Sequence, residues 1–95
     1  MDHSRQLAAI MFTDIEGYSA IMQQDEPKAI SLKDRYRSIV DEAHTKFNGN
    51  VVHYYGDGAL SMFTSAVQAV QCAINMQQLF NSDPRVPVRI RIAYG

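Results

Sequence analysis

Phe12-Thr13-Asp14-Ile15-Glu16-Gly17-Tyr18-Ser19 closes an apolar run, Leu7-Ala8-Ala9-Ile10-Met11-Phe12, on a carboxylate and then a glycine-led turn. The run has strand length and suits a central strand covered on both faces, although periodicity alone leaves a buried helix open. Much later, Tyr55-Gly56-Asp57-Gly58 sets a second carboxylate between two apolar, β-rich segments, Val51 to Tyr55 and Ala59 to Phe63. A short turn between two such segments reads as a hairpin, with Asp-Gly a favoured turn pair and Asp57 at the tip. Two aspartates at the ends of neighbouring strands are a simple way to hold a hard divalent cation, which takes oxygen ligands. N–H groups after Gly17 would suit phosphate beside it. Everything then turns on whether the intervening chain joins Asp14 to Asp57.

Outward from these motifs, a short helix from about Tyr18 to Gln24 follows the first turn. Pro27 suits the first turn of a longer helix, with Asp25 or Glu26 near its N-terminus. Leu32, Tyr36, Ile39, Val40, Ala43 and Phe47 recur at spacings of three and four, one apolar face, and Asn48-Gly49-Asn50 ends the helix. Lys33, Arg35, Arg37, Asp41 and Glu42 lie off that stripe and read as solvated. Thr64 or Ser65 can cap another long helix. Its apolar face reads as Val67, Val70, Ile74 and Leu79, with Ala66, Ala73 and Phe80 beside it and Gln68, Gln71, Asn75 and Gln78 opposite. After Pro87, Val88, Ile90 and Ile92 alternate with Arg89, Arg91 and Ala93 as a half-exposed strand.

The order β-α-α-β-β-α-β predicts an α+β domain over 1–95 of the ferredoxin-like, split βαβ type: an antiparallel sheet with helices on one face. The right-handed crossover rule puts the first strand beside the second hairpin strand in the middle of the sheet. Asp14 then closes one and Asp57 opens the other, at the same end.

Composition narrows the function. The chain has 95 residues, 46% of them hydrophobic and 20% charged, with a net charge of −1. That is an ordinary soluble balance, with no basic arm for nucleic acid and no bulk attraction to an anionic membrane. No apolar run approaches the roughly 18 residues of a span, and the N-terminus resembles no signal peptide, so the segment reads as cytoplasmic. The single cysteine, Cys72, allows no internal disulfide and reads as a small buried apolar residue.

The two aspartate motifs together resemble the catalytic domain of class III nucleotidyl cyclases, the adenylyl and guanylyl cyclase homology domain. Leu7 to Ser19 is similar to that family's first strand and metal loop, Asn48 through Phe63 to its hairpin, Ala66 to Ala73 to the following helix and Arg89 to Ile92 to the next strand. The resemblance implies that Asp14 and Asp57, with the Ile15 carbonyl, bind two divalent cations, Mg²⁺ or Mn²⁺. It also implies that the amides of Gly17, Tyr18 and Ser19 receive phosphate oxygens. The implied reaction turns a nucleoside triphosphate, ATP favoured, into a 3′,5′-cyclic nucleotide and pyrophosphate, in a homodimer or other self-associated form. Glu16 reads as exposed rather than ligating.

In two respects the chain departs from the family pattern. The purine-selecting position, commonly lysine or glutamate, holds His53, which can donate or accept and so does not choose between adenine and guanine. It also reads equally as a partly exposed strand residue. The family's catalytic domain is about twice as long, and the ribose-orienting and charge-stabilising residues lie in the other half, so the 95 residues alone are expected to be inactive. A regulatory cyclase-like module that binds nucleotide or a protein partner is the rival reading. A diguanylate cyclase palm is disfavoured by Tyr-Gly-Asp-Gly in place of that family's Gly-Gly-Asp/Glu-Glu-Phe. An RNA binder of this fold would show an aromatic-and-basic sheet motif, and none is present.

Overall fold

The apolar run becomes strand β1 (Ala9–Ile15) in a computed structural model that describes residues 7–95. The sequence reading of Met1 to Gln6 lies outside the described residues. β1 alternates strictly. Ala9, Met11, Thr13 and Ile15 are buried, Ile10 and Asp14 are half-buried, and Phe12 is exposed. The expectation of a strand covered on both faces is thereby corrected: the run is continuous because the uncovered face is apolar too.

Helix α1 (Tyr18–Gln24) and helix α2 (Glu26–Lys46) form the first crossover. Asp25 caps α2, its Oδ1 accepting from the Lys28 N–H at 3.1 Å, and Pro27 sits in the first turn, where its missing N–H costs nothing. The predicted stripe of α2 is buried at Leu32, Tyr36, Ile39, Val40 and Ala43, joined by Ala29 and His44. Next come β2 (Asn50–Tyr55), β3 (Gly58–Phe63), α3 (Ala66–Asn81) and β4 (Val88–Tyr94). Ser65 caps α3, accepting from the Gln68 N–H at 3.1 Å.

The sheet runs β2-β3-β1-β4, with every neighbouring pair antiparallel. This is the order that the crossover rule predicts: β1 and β3 are central, and β2 and β4 are edges. The core lies between the sheet and the helices, where Met11, Ile15, Tyr36, Val40, Phe63, Met76 and Phe80 are almost wholly enclosed.

Helix α3 turns a different face inward from the one its sequence suggests. Ala69, Cys72, Met76 and Phe80 are buried, whereas Val67 is 67% and Ile74 55% exposed. Both stripes have helical spacing, and Ala69 and Cys72 are the small residues that let the helix approach the sheet closely. The displaced stripe leaves an apolar groove of about 570 Å³ between Ala73, Ile74 and the edge strand at Ile90, Ile92 and Tyr94. Among the described residues, no helix is long and apolar enough to cross a membrane.

Candidate active site

The hairpin turn is Gly56-Asp57 rather than the expected Asp-Gly pair, since Tyr55 pairs with Gly58 across it. Gly56 supplies the left-handed backbone, at φ 50°. Gly58 is needed for a different reason. A Cβ there would lie 2.6 Å from the Thr13 carbonyl oxygen and 2.9 Å from Cε2 of Tyr55. Its absence lets the start of β3 press against the end of β1.

That approach is what brings the two aspartates together. Asp14 faces Gly58 in the β1–β3 register, and the Ile15 N–H donates to the Asp57 carbonyl at 3.0 Å. On the other side the Glu16 N–H donates to the Pro87 carbonyl at 2.7 Å. The Asp14–Ile15 segment is therefore held between the hairpin tip and the entry to β4. Inside the sheet, the Thr13 hydroxyl hydrogen-bonds the buried Tyr36 phenol, which also stacks on Phe80 at 5.9 Å. Burial pushes the Tyr36 hydroxyl up to about 12, against the opposing effect of the Thr13 hydrogen bond. This contact ties the residue before Asp14 to α2.

Read across the sheet, the register makes rows. Tyr55, Gly58, Asp14 and Arg89 form one, and His53, Leu60, Phe12 and Arg91 form the next. His53 is exposed, with its ring 6.2 Å from that of Tyr55, and lies one row inward from Asp14. Gly17, at φ 68°, is the N-cap of α1 with no side-chain cap, two residues beyond Ile15. The first N–H groups of any helix lack intrahelical acceptors, so Tyr18 and Ser19 have amides to offer. Glu16 is exposed.

Sequence reasoning missed the partner of Asp14. Arg89 grips its carboxylate with two bonds, Nε to Oδ1 at 2.9 Å and Nη2 to Oδ2 at 3.2 Å. The pair is partly solvated, with side chains 53% and 34% exposed. The hydrogen bond and charge of Asp14 raise the Arg89 pKa further above an already high value. The alternation of β4 put Arg89 on the open face, but the β1–β4 register that sets it opposite Asp14 is a tertiary fact.

Chemically, the end of the sheet offers carboxylate and backbone oxygens, the donors that a hard divalent cation takes, and Asp14 already draws one cation in the form of a guanidinium. Among the described residues, no three His, Cys, Asp or Glu side chains form a group that could hold a metal ion by themselves.

No family model matches the chain. Among curated proteins, one named "Putative adenylate cyclase 3", from Rhizobium meliloti (strain 1021), is 40% identical over 75 residues, 78% of this chain and 13% of that protein. Among solved structures, the adenylate/guanylate cyclase/hydrolase from Silicibacter pomeroyi is 32% identical with a TM-score of 0.80, covering 95% of this chain and 57% of that one. An adenylate cyclase of Trypanosoma brucei in its monomeric state shares the fold at 18% identity, with a TM-score of 0.87 over 100% of this chain and 58% of that one. A guanylate cyclase domain from Catenaria anguillulae, solved in complex with GTP, does so at 16% identity and a TM-score of 0.81, covering 95% and 57%. The chain thus spans little more than half of each of these solved chains. Sequence likeness and shared fold point the same way: the chain is similar to class III adenylyl/guanylyl cyclase catalytic domains.

Proposed function

We propose that this chain carries the metal-binding part of a nucleotidyl cyclase site, in a protein that converts a nucleoside triphosphate, ATP in preference to GTP, into a 3′,5′-cyclic nucleotide and pyrophosphate. The observation that carries the reading is the backbone bond from Ile15 to Asp57, which sets two aspartates side by side at one end of the sheet. Asp14, Asp57 and the Ile15 carbonyl would hold two divalent cations, Mg²⁺ or Mn²⁺. Bound there, such ions supply a clamp on the attacking and leaving oxygens of an in-line displacement. The chain's own part is to orient the nucleotide. The amides of Gly17, Tyr18 and Ser19 receive phosphate oxygens at the start of α1, and His53, one row inward, meets the purine edge.

The open face of the sheet carries Phe12 and Met62, 42% and 36% exposed, with Ile10 and Leu60 half-buried beside them. An apolar surface on that side suits a second copy, and we read the working form as a homodimer. Arg89 favours one second reading, a regulatory module that binds nucleotide without turning it over, because the guanidinium already satisfies Asp14.

Titrating Mn²⁺ together with a non-cyclisable nucleoside triphosphate tests the site. Binding is expected for the native chain and its loss is expected in Asp14→Ala and in Asp57→Ala. Equal binding by all three proteins would remove the metal-site reading. A product assay separates enzyme from binding module: cyclic nucleotide from a dimer of the 95 residues would exclude the regulatory reading.

A further inference from the structure

Several charged residues of α2 lie off its buried stripe, and at the start of the helix the fold gathers them around a hollow. A cavity of about 330 Å³ opens between the first turns of α2 and the segment that joins α3 to β4. Lys28, Ser31 and Arg35 line it from the helix, and Asp83, Pro84 and Arg85 from the segment. Three cations against one carboxylate give this lining a surplus of two positive charges, in a chain whose net charge is −1. Among the described residues, no carboxylate forms an ion pair with any of the three, and the nearby Asp25 carboxylate is engaged in capping the Lys28 N–H. Arg35 is also fixed in place. Its Nη2 donates to the Leu79 carbonyl at 3.1 Å and to the Ser82 hydroxyl at 3.2 Å, which ties α2 to the end of α3. Its Nε is enclosed and, among the described residues, has no acceptor. A charged donor enclosed without a partner is costly, and a hollow lined mainly by one sign of charge draws the opposite ion.

From this arrangement we infer that the cavity binds a dianionic phosphate group, either free or carried by a small molecule as a monoester. A phosphate monoester bears about −1.5 to −2 charges near neutral pH, which matches the surplus on the lining. Arg35 is the pre-set cation, and a phosphate beside it supplies the countercharge that its guanidinium lacks. Lys28 and Arg85 are exposed, so their long side chains can close on the outer oxygens, while the Ser31 hydroxyl can donate to a third. Asp83 is the one repulsive group in the lining. The volume sits at the low end of the roughly 300–1,000 Å³ of small-molecule sites. The cavity shares no residue with the Gly17 to Ser19 amides, and its ligand needs no metal. Backbone nonetheless joins it to the aspartates: the segment that carries Arg85 runs on to Pro87, whose carbonyl accepts from the Glu16 N–H at 2.7 Å. A ligand that ties this segment to α2 braces the chain next to Asp14.

The test uses the intact chain, EDTA to remove divalent ions, and two probes, inorganic phosphate and glycerol 3-phosphate. In ¹H–¹⁵N spectra, the Lys28, Ser31 and Arg85 amides are expected to shift and saturate as a probe is added. Lys28→Gln and Arg85→Gln should each weaken binding by about 2- to 5-fold, the scale of one exposed charge contact, and Asp83→Asn should tighten it by a similar factor. Lys46→Gln removes the same charge at the far end of α2 and should change little. Binding should also weaken as pH falls through about 6, where the dianion becomes a monoanion. Tighter binding of glycerol 3-phosphate would identify a monoester as the ligand, and equal binding the phosphate group alone; either supports the site. Equal weakening by Lys28→Gln, Arg85→Gln and Lys46→Gln would mean that only bulk charge matters, and would overturn the proposal. So would shifts confined to the Gly17 to Ser19 amides, or no saturable shift with either probe.

Discussion

His44 shows how a buried polar residue can be held without charge. It is 3% exposed; its Nδ1–H donates to the Val40 carbonyl at 2.7 Å, leaving Nε2 to accept from the Ser61 hydroxyl at 2.8 Å. Burial lowers its pKa from the ordinary 6.5, outweighing the opposing pull of the Val40 hydrogen bond and the Asp41 charge. The sign follows from linkage. Above 6.5 the ring is neutral in both states and stability is full. As pH falls below 6.5, the unfolded chain takes up a proton that the folded one resists, and stability drops toward the folded pKa. Urea midpoints should therefore fall between pH 7 and pH 5, and His44→Gln should show a shallower slope over that window. Parallel slopes would mean that other groups carry the effect. Nearer the site, Tyr36→Phe removes the partner of the Thr13 hydroxyl. An expected loss of about 1–3 kcal/mol follows from leaving that buried group unsatisfied, measured by chemical denaturation.

The helices and the hairpin make distinct demands. Ser65 and Asp25 each satisfy one N–H at the start of a long helix, and replacing either with alanine should cost about 1 kcal/mol. On α3, the two apolar stripes give opposite expectations. Met76→Ala, in the enclosed core, should cost about 2–5 kcal/mol. Ile74→Ala, on the exposed stripe, should stay within about 0.5 kcal/mol. Comparable losses would show that Ile74 is covered in solution. Gly58→Ala is predicted to be severe, because the added methyl meets the Thr13 carbonyl, a backbone atom with little room to move. A loss of divalent-ion binding at temperatures where this variant remains folded would tie the close approach of β1 and β3 to the site itself.

Over the described residues the molecule is a sheet with helices on one side and an uncovered, partly apolar face on the other. If that face receives a second copy, sedimentation of the native chain will depend on concentration, and Phe12→Glu will weaken association by about tenfold or more, the scale of burying an uncompensated charge at an interface. Val67→Glu, on the exposed α3 stripe, should leave it unchanged. The opposite pattern would place the contact on the groove between α3 and β4.

Much of this was legible in the residues. Local signals mark each element: Asp25 with Pro27, Ser65, the glycines at 56 and 58, and the alternation after Pro87. Strand order follows from element order, because right-handed crossovers leave few topologies. The apposition of Asp14 and Asp57 follows in turn, since both flank the junction of the two central strands. What depended on registers and on which surfaces touch was not legible. Helix α3 has two apolar stripes of similar spacing, and only packing against the sheet chose the one with Ala69 and Cys72. β1 is apolar throughout, so its residues could not reveal that one face stays open. Arg89 reads as one more exposed strand arginine until the β1–β4 pairing sets it against Asp14. Sequence determined where the two candidate carboxylates sit, because short-range propensity and topology suffice for that. Tertiary structure decided what Asp14 holds, because a partner 75 positions away is chosen by strand register, which no local pattern encodes.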